Sequence, residues 1–134
     1  MVELGEVIQG KLEEPQYWHL ATVNPDGSPQ VTTVWVHMRD GMILVNSALG
    51  RRKTRNIEGN SHVALSWHDP DDPHHSVAIQ GHVVETTVGS AAEADIDRLA
   101  EKYIGRSPYP WRQEGERRVT YLIEPTRVHW QVPG

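Results

Sequence analysis

Cysteine is absent from all 134 residues, and so is phenylalanine. Without a thiol the chain has no disulfide staple, no thiolate nucleophile and no cysteine-ligated metal. Positive charge is scarce as well: 13 Lys and Arg stand against 18 Asp and Glu, a formal net charge of −5. A broad electrostatic hold on nucleic acid is not expected of such a surface. No apolar run approaches the roughly 20 residues of a membrane-spanning helix. The opening "MVELGEVIQGKLEEP" has neither the basic region nor the apolar core of a signal peptide, so a cytoplasmic protein is expected, without a membrane partner. Hydrophobic residues make up 37% and charged residues 23%, and at this length that composition predicts one globular domain over 1–134.

Alternation and turn residues dominate what is there. Met1 to Leu12 carries Leu4, Val7, Ile8 and Leu12 at helical spacing and predicts a leading helix. "YWHLATV" reads as a strand and "NPDGSP" as the turn after it. The run "QVTTVWVHM" alternates, with Val31, Thr33, Trp35 and His37 on one face and Thr32, Val34, Val36 and Met38 on the other. It reads as one strand, joined by a tight "RDG" turn to the strand "MILVNS". "HVALSWH" and "SVAIQGHVVETT" follow, the second with Gly81 at a predicted bulge. Ser90 and Glu93 have capping-box spacing, opening a helix whose stripe is Ile96, Leu99, Ala100 and Tyr103 and which ends near Gly105. Asp95, Asp97 and Glu101 fall on its other, solvent-facing side. "RRVTYLIE" and, after Pro125, "RVHW" complete the strands. Short antiparallel strands with few helices predict a small closed barrel, because closure removes exposed edges.

One stretch runs against the overall sign. "ALGRRKTRNIEGN" places Arg51, Arg52, Lys53 and Arg55 beside Gly50, where a strand ends and a short helix begins. A helix N-terminus offers unpaired N–H groups and partial positive charge, and basic side chains there add charge-assisted bonds to a phosphate. Spacing alone leaves a solvated helix face open, the usual meaning of a charge run. A Walker loop is excluded, because Arg52 stands where its glycine must precede Lys53, and no GxGxxG follows a strand. His68, Asp69, Asp71, Asp72, His74 and His75 share one polar loop with Pro70 and Pro73. Nothing rigid fixes them, so they read as a solvated loop and not as a metal site.

In order, "ATVNPDGSPQVTTVWV", "MILVNSALGRRKTRN", "HVALSWHDPDDP", "VAIQGHVVE" and "YPW…GERRV" resemble the pyridoxamine-phosphate-oxidase-like split β-barrel family, from about Tyr17 to Trp130. Within it the chain is similar to the small flavin/deazaflavin oxidoreductases that use coenzyme F420. "GSPQVTTVWV" and "GRRKTRN" at this separation are the most specific pieces. The resemblance implies a mainly β fold: a six- or seven-stranded antiparallel split barrel with a few short helices. It also implies a homodimer with the cofactor lying between protomers.

The same resemblance implies the site. Gln30, Val31, Thr32, Thr33, Val34 and Trp35 would contact the cofactor, followed by Val45 and Asn46, while Arg51, Arg52, Lys53 and Arg55 grip its phosphate. Ser76 stands where flavin-binding relatives carry a glutamine, and Gln30 where those that oxidise pyridoxamine phosphate carry an arginine. With the short ending "RVHWQVPG", these departures argue against pyridoxamine phosphate as substrate. Tyr109 and Trp111 would shape the pocket of a conjugated organic acceptor. The hard chemistry, hydride transfer, would belong to the cofactor, so no catalytic side chain is assigned. An FMN-dependent reductase, or a carrier that binds F420 or flavin without turnover, are the alternatives.

Overall fold

The structure, a computed structural model, describes residues 1–132. Three helices, α1 (Gly5–Glu13), α2 (Arg52–Gly59) and α3 (Ser90–Ile104), accompany seven strands: β1 (Trp18–Val23), β2 (Pro29–Val34), β3 (Val36–Arg39), β4 (Met42–Ala48), β5 (His62–His68), β6 (Ser76–Val88) and β7 (Arg118–Gln131). The strands form one sheet in the order β2-β1-β5-β6-β7-β4-β3, every pairing antiparallel. This is the mainly β split barrel that the sequence led us to expect.

The run expected as one strand is two. β2 pairs with β1 and β3 with β4, at opposite edges of the sheet, with only Trp35 between them. Alternation could not reveal the break, because its phase survives it: Val34 and Val36 are both buried. Alternation reports which face a residue occupies, not which strand lies beside it. A sheet whose two edges are one residue apart in the chain must curl until they meet.

Inside the curl, Trp18, Leu20, Leu65, Ile79, Tyr121 and Ile123 form the centre of the core. Trp18 and Trp67 stack at 6.2 Å between centroids, and both indole N–H groups are satisfied, Trp18 donating to the Lys11 carbonyl and Trp67 to Gln16. α1 closes one end with Ile8 and Leu12. Val7 does not join them and is 47% exposed, since Leu4, Ile8 and Leu12 recur every four residues and leave it off their face.

β7 runs through Pro125, where a break was expected. The proline sits opposite Gly81, at a register shift between β6 and β7. A residue without an N–H is tolerated where the ladder is already interrupted. Gly81 is the expected bulge, and its missing side chain is a packing requirement: a Cβ there would fall against the Glu124 carbonyl oxygen and 2.9 Å from a methyl of Ile123.

α3 packs Ile96 and Leu99 on Leu44 and Leu122 in a second apolar cluster on the other face of the sheet. The expected capping box is not formed. Gly89, at φ 89°, is the N-cap, Ser90 is already helical, and no side chain caps the helix. The Glu93 amide donates to the Gly89 carbonyl, and its carboxylate meets Arg112 at 2.8 Å. Tyr103 ties α3 to the strand break: its hydroxyl donates to the Gln16 carbonyl at 2.6 Å and accepts from the Val36 amide at 3.1 Å. Burial pushes that phenol up to about 12.

Gly81→Ala should cost about 1–3 kcal/mol, the range for overpacking a tight site. Urea denaturation followed by circular dichroism would measure it, and a wild-type midpoint would refute the close-approach argument.

Candidate functional site

A cleft of about 200 Å³ opens where β2 gives way to β3, and β4, α2, α3 and the segment before β7 supply its other walls. Its cations arrive from two directions. Arg51 is the N-cap of α2 and Lys53 lies in the first turn. That turn has no acidic residue and the helix no side-chain cap. Like charge at the positive end of a helix is unfavourable by a few tenths of a kcal/mol or more per group. Arg118, the first residue of β7, is the third cation and is 3% exposed.

One carboxylate serves two of these three. Glu116 Oε1 lies 3.1 Å from Arg118 and 3.4 Å from Arg51. Among the described residues Lys53 has no acidic partner, and it donates to Thr32 Oγ1 at 3.3 Å. Burial, then the charges of Arg51 and Arg118, hold its ammonium below the ordinary lysine value. Burial likewise pulls the Arg118 guanidinium down, against the opposing pull of Glu116.

Beneath the cations runs a line of hydrogen bonds. Arg118 Nε donates to Asn46 Oδ1 at 2.9 Å, and Asn46 Nδ2 donates to Thr120 Oγ1 and the Ala92 carbonyl. The Thr120 hydroxyl donates to Asp95 at 2.8 Å. Asp95, expected on the solvent face of its helix, is instead 3% exposed and receives Arg39 and Arg98 as well. Its reach across to β3 and β7 is long-range pairing that helical periodicity does not register. Asp97 also has work: its carboxylate accepts from the Tyr109 amide at 2.8 Å and from Arg112 at 3.0 Å, pinning the segment before β7 onto α3.

The remaining wall is aromatic. Trp35 stacks on Tyr103 at 5.3 Å and meets Tyr109 edge-on at 6.1 Å, with Trp111 tilted 6.4 Å away. The Arg118 guanidinium lies 5.3 Å from the Tyr109 ring centroid, within cation–π range. A larger hollow of about 460 Å³ spans the outer face of β1, β5 and β6, but no Lys, Arg, Asp or Glu lines it. The smaller cleft holds the chemistry.

The family model described as "Pyridoxamine 5'-phosphate oxidase" matches residues 4–131. The chain belongs to the pyridoxamine 5'-phosphate oxidase family. A curated pyridoxine/pyridoxamine 5'-phosphate oxidase of Bacteroides thetaiotaomicron is 28% identical over 112 residues, covering 81% of this chain and 47% of the relative. The chain thus spans about half the length of that relative. A solved structure named F420 reductase is 32% identical, with a TM-score of 0.82, covering 94% of this chain and 98% of its own. A conserved hypothetical protein of Mycobacterium tuberculosis, 21% identical with a TM-score of 0.68 over 96% of this chain and 84% of its own, shares the fold.

Of the residues implicated by likeness to the pyridoxamine 5'-phosphate oxidase family, Thr33, Val34, Trp35, Asn46, Arg51, Lys53, Tyr109 and Trp111 all line the cleft. The others lie elsewhere. Gln30 accepts a hydrogen bond from Thr22 and Val31 is 59% exposed on the outside of β2. Thr32 touches the site only through Lys53. The Val45 side chain is buried in the core. Arg52 lies against the turn at Asn24, Pro25 and Asp26, and Arg55 against Val23 and Asn60 in a separate depression. Three residues apart on α2, these two arginines share a face that the cleft does not see. Ser76 opens β6, paired with His68 and Gln131 and outside the cleft.

Sequence reasoning missed Arg118 and Glu116, whose place depends on β7 lying beside β4, and took Ile96 and Leu99 for packing alone although both also line the cleft. In the histidine-rich loop, Asp69 and Asp72 accept from backbone amides two residues on, and His75 accepts from the Trp130 indole. Among the described residues no group of three or more His, Asp or Glu is arranged to hold a metal ion, and no helix is long and apolar enough to cross a membrane.

Asp95→Asn should lower stability by about 2–3 kcal/mol in urea denaturation at neutral pH. That is less than the loss of a fully buried partner costs, because Arg39 and Arg98 can turn to water. A loss under about 0.5 kcal/mol would mean that the Asp95 pairs are incidental.

Proposed function

We propose that this chain is an F420-dependent oxidoreductase, moving a hydride between the deazaflavin and a conjugated organic acceptor. The observation that carries the proposal is the gathering of Arg51, Lys53 and Arg118 round one cleft at an uncapped helix start, with a single carboxylate, Glu116, to balance two of them. An anionic group would relieve cation–cation repulsion and occupy the positive helix end together. The residues therefore fit a phosphate-bearing cofactor. Arg51, Lys53 and Arg118 would hold its phosphate, Thr33 and Asn46 offer polar groups beside it, and Trp35, Tyr109 and Trp111 give a planar group an apolar wall that keeps water out. When bound and reduced, the deazaflavin supplies the hydride.

The likeness to the F420 reductase favours deazaflavin over FMN. FMN is the second reading, favoured by the curated phosphate-ester oxidase among the relatives, and a carrier without turnover remains its companion. A cleft of about 200 Å³ falls below the roughly 300–1,000 Å³ of sites that enclose a drug-sized ligand. We infer that a second copy of the chain completes the site, with exposed Trp111 at its rim, and we place the reaction in the cytoplasm.

Fluorescence titration with F420 and, separately, with FMN tests the cofactor. Saturable F420 binding tighter than the high micromolar range is expected, and its absence overturns the proposal. Lys53→Met and Arg51→Gln should each weaken that binding roughly ten- to a hundredfold, the worth of a charge-assisted bond. Arg127→Gln, on the far half of β7, should leave it unchanged.

The depressed Lys53 value fixes a pH dependence. A bound anion favours the ammonium, so binding raises the Lys53 pKa from its lowered free-site value and takes up a proton. Affinity should be flat well below the free-site value, then fall as pH rises through the window up to the bound-state value. Affinity constant into the ordinary lysine range would exclude Lys53 from the clamp.

A further inference from the structure

Glu116 is bound in an uneven way. Its Oε1 serves two guanidinium groups at 3.1 and 3.4 Å, while its Oε2 is buried and has no hydrogen-bond partner among the described residues. A permanent structural pair between arginine and carboxylate is ordinarily forked, with both oxygens used. Leaving a buried carboxylate oxygen without a donor is unfavourable. Arg118, for its part, uses Nε on Asn46 and Nη1 on Glu116, which leaves Nη2 for a further acceptor.

Glu116 also follows an exposed turn. Gly115, at φ 78°, precedes it, and residues 111–115 are all exposed. The turn that carries it is closed by one bond, from its amide to the Gln113 carbonyl.

From these features we infer that Glu116 is a built-in counter-anion: it occupies the Arg51–Arg118 position while the cleft is empty and is exchanged for the ligand's phosphate. In the empty protein it keeps a buried arginine paired and the clamp assembled. When a phosphate enters, its negative charge must leave, because two anions a few ångströms apart repel strongly in a partly buried site. The exchange makes the site selective: an anion that touches one cation and leaves Glu116 in place gains little, whereas a group whose oxygens satisfy both guanidiniums and Lys53 displaces it. This inference rests on the reading that the cleft takes a phosphate, but not on which cofactor carries it.

Inorganic phosphate is the probe, in isothermal titration of the full chain and of Glu116→Gln. Removing one negative charge at this distance should tighten phosphate binding roughly ten- to a hundredfold, and should lower the melting temperature of the phosphate-free protein while enlarging its rise on phosphate addition. Equal or weaker binding by Glu116→Gln, or no binding by either protein, overturns the inference. Should the variant fail to fold, the wild-type chain labelled with ¹³C at glutamate carboxyls decides it. The Glu116 resonance should move toward that of a solvated glutamate as phosphate saturates, and an unmoved resonance overturns the idea. Neither measurement uses F420. A chain that exchanges Glu116 for phosphate yet ignores F420 keeps this inference and loses the cofactor assignment, and the opposite pattern does the reverse.

Discussion

β2 and β3 lie at opposite edges of a seven-stranded sheet, yet only Trp35 stands between them in the chain. That link requires the sheet to curl until its edges meet, and the cleft forms at the meeting point. Closure brings the end of β2 against β4 and α2, so Thr33, Val34 and Trp35 come to face Asn46, Arg51 and Lys53. The Tyr103 hydroxyl, bonded to the Val36 amide and the Gln16 carbonyl, satisfies backbone groups that leave the ladder where the chain changes partner. An aromatic at the crossing then does two things. Trp35 stacks on the Tyr103 ring and lines the site.

A second dependency runs through the polar groups under α3. Asp95, Thr120, Asn46 and Arg118 form a continuous line from the α3–β4 surface to the floor of the cleft. Each uses its partner's remaining capacity: Thr120 accepts from Asn46 and donates to Asp95, and Asn46 donates from its amide and accepts at its carbonyl. Such networks fix side chains in one arrangement when fully satisfied and destabilise when they are not. The consequence for the site is rigidity where it matters. Arg118 is held at Nε by a group that is itself held, while its other partner, Glu116, sits on a loop.

How much of this the sequence discloses depends on the range of the interactions involved. The stripe of Ile96, Leu99 and Ala100, the bulge at Gly81 and the basic start of α2 are local patterns, and each is found where its period or residue type placed it. The break at Trp35 is invisible because Val34 and Val36 keep one phase on either side of it. Pro125 reads as a stop until its partner is known to be a bulge. Asp95 looks solvated until Arg39, 56 residues away, is seen across from it. Of the basic cluster, composition identifies all four cations but helical geometry divides them. Arg51 and Lys53 line the cleft while Arg52 and Arg55 turn outward. Thr54 and Asn56, which composition would pass over, are the buried anchors of that helix: Thr54 donates to the Arg51 carbonyl, and Asn56 donates to Thr22 and Asn24.

The charge balance decides how an anion can be held by a protein that is itself negative. At physiological ionic strength charges are screened beyond about 8 Å, so a net −5 spread over the surface neither draws a phosphate in nor keeps it out once it reaches the cleft. What acts there is short-range: two buried or half-buried cations and an exposed one, an uncapped helix end, and one carboxylate to balance them. Burial amplifies each of these terms, because the lower the local dielectric the more an unpaired cation gains from a partner. The same burial lowers the Lys53 ammonium and the Arg118 guanidinium, so an anion placed between them would favour the charged form of both. A ligand that neutralises the whole cluster would gain from every one of these charges, whereas one that touches a single cation would gain from only part of them.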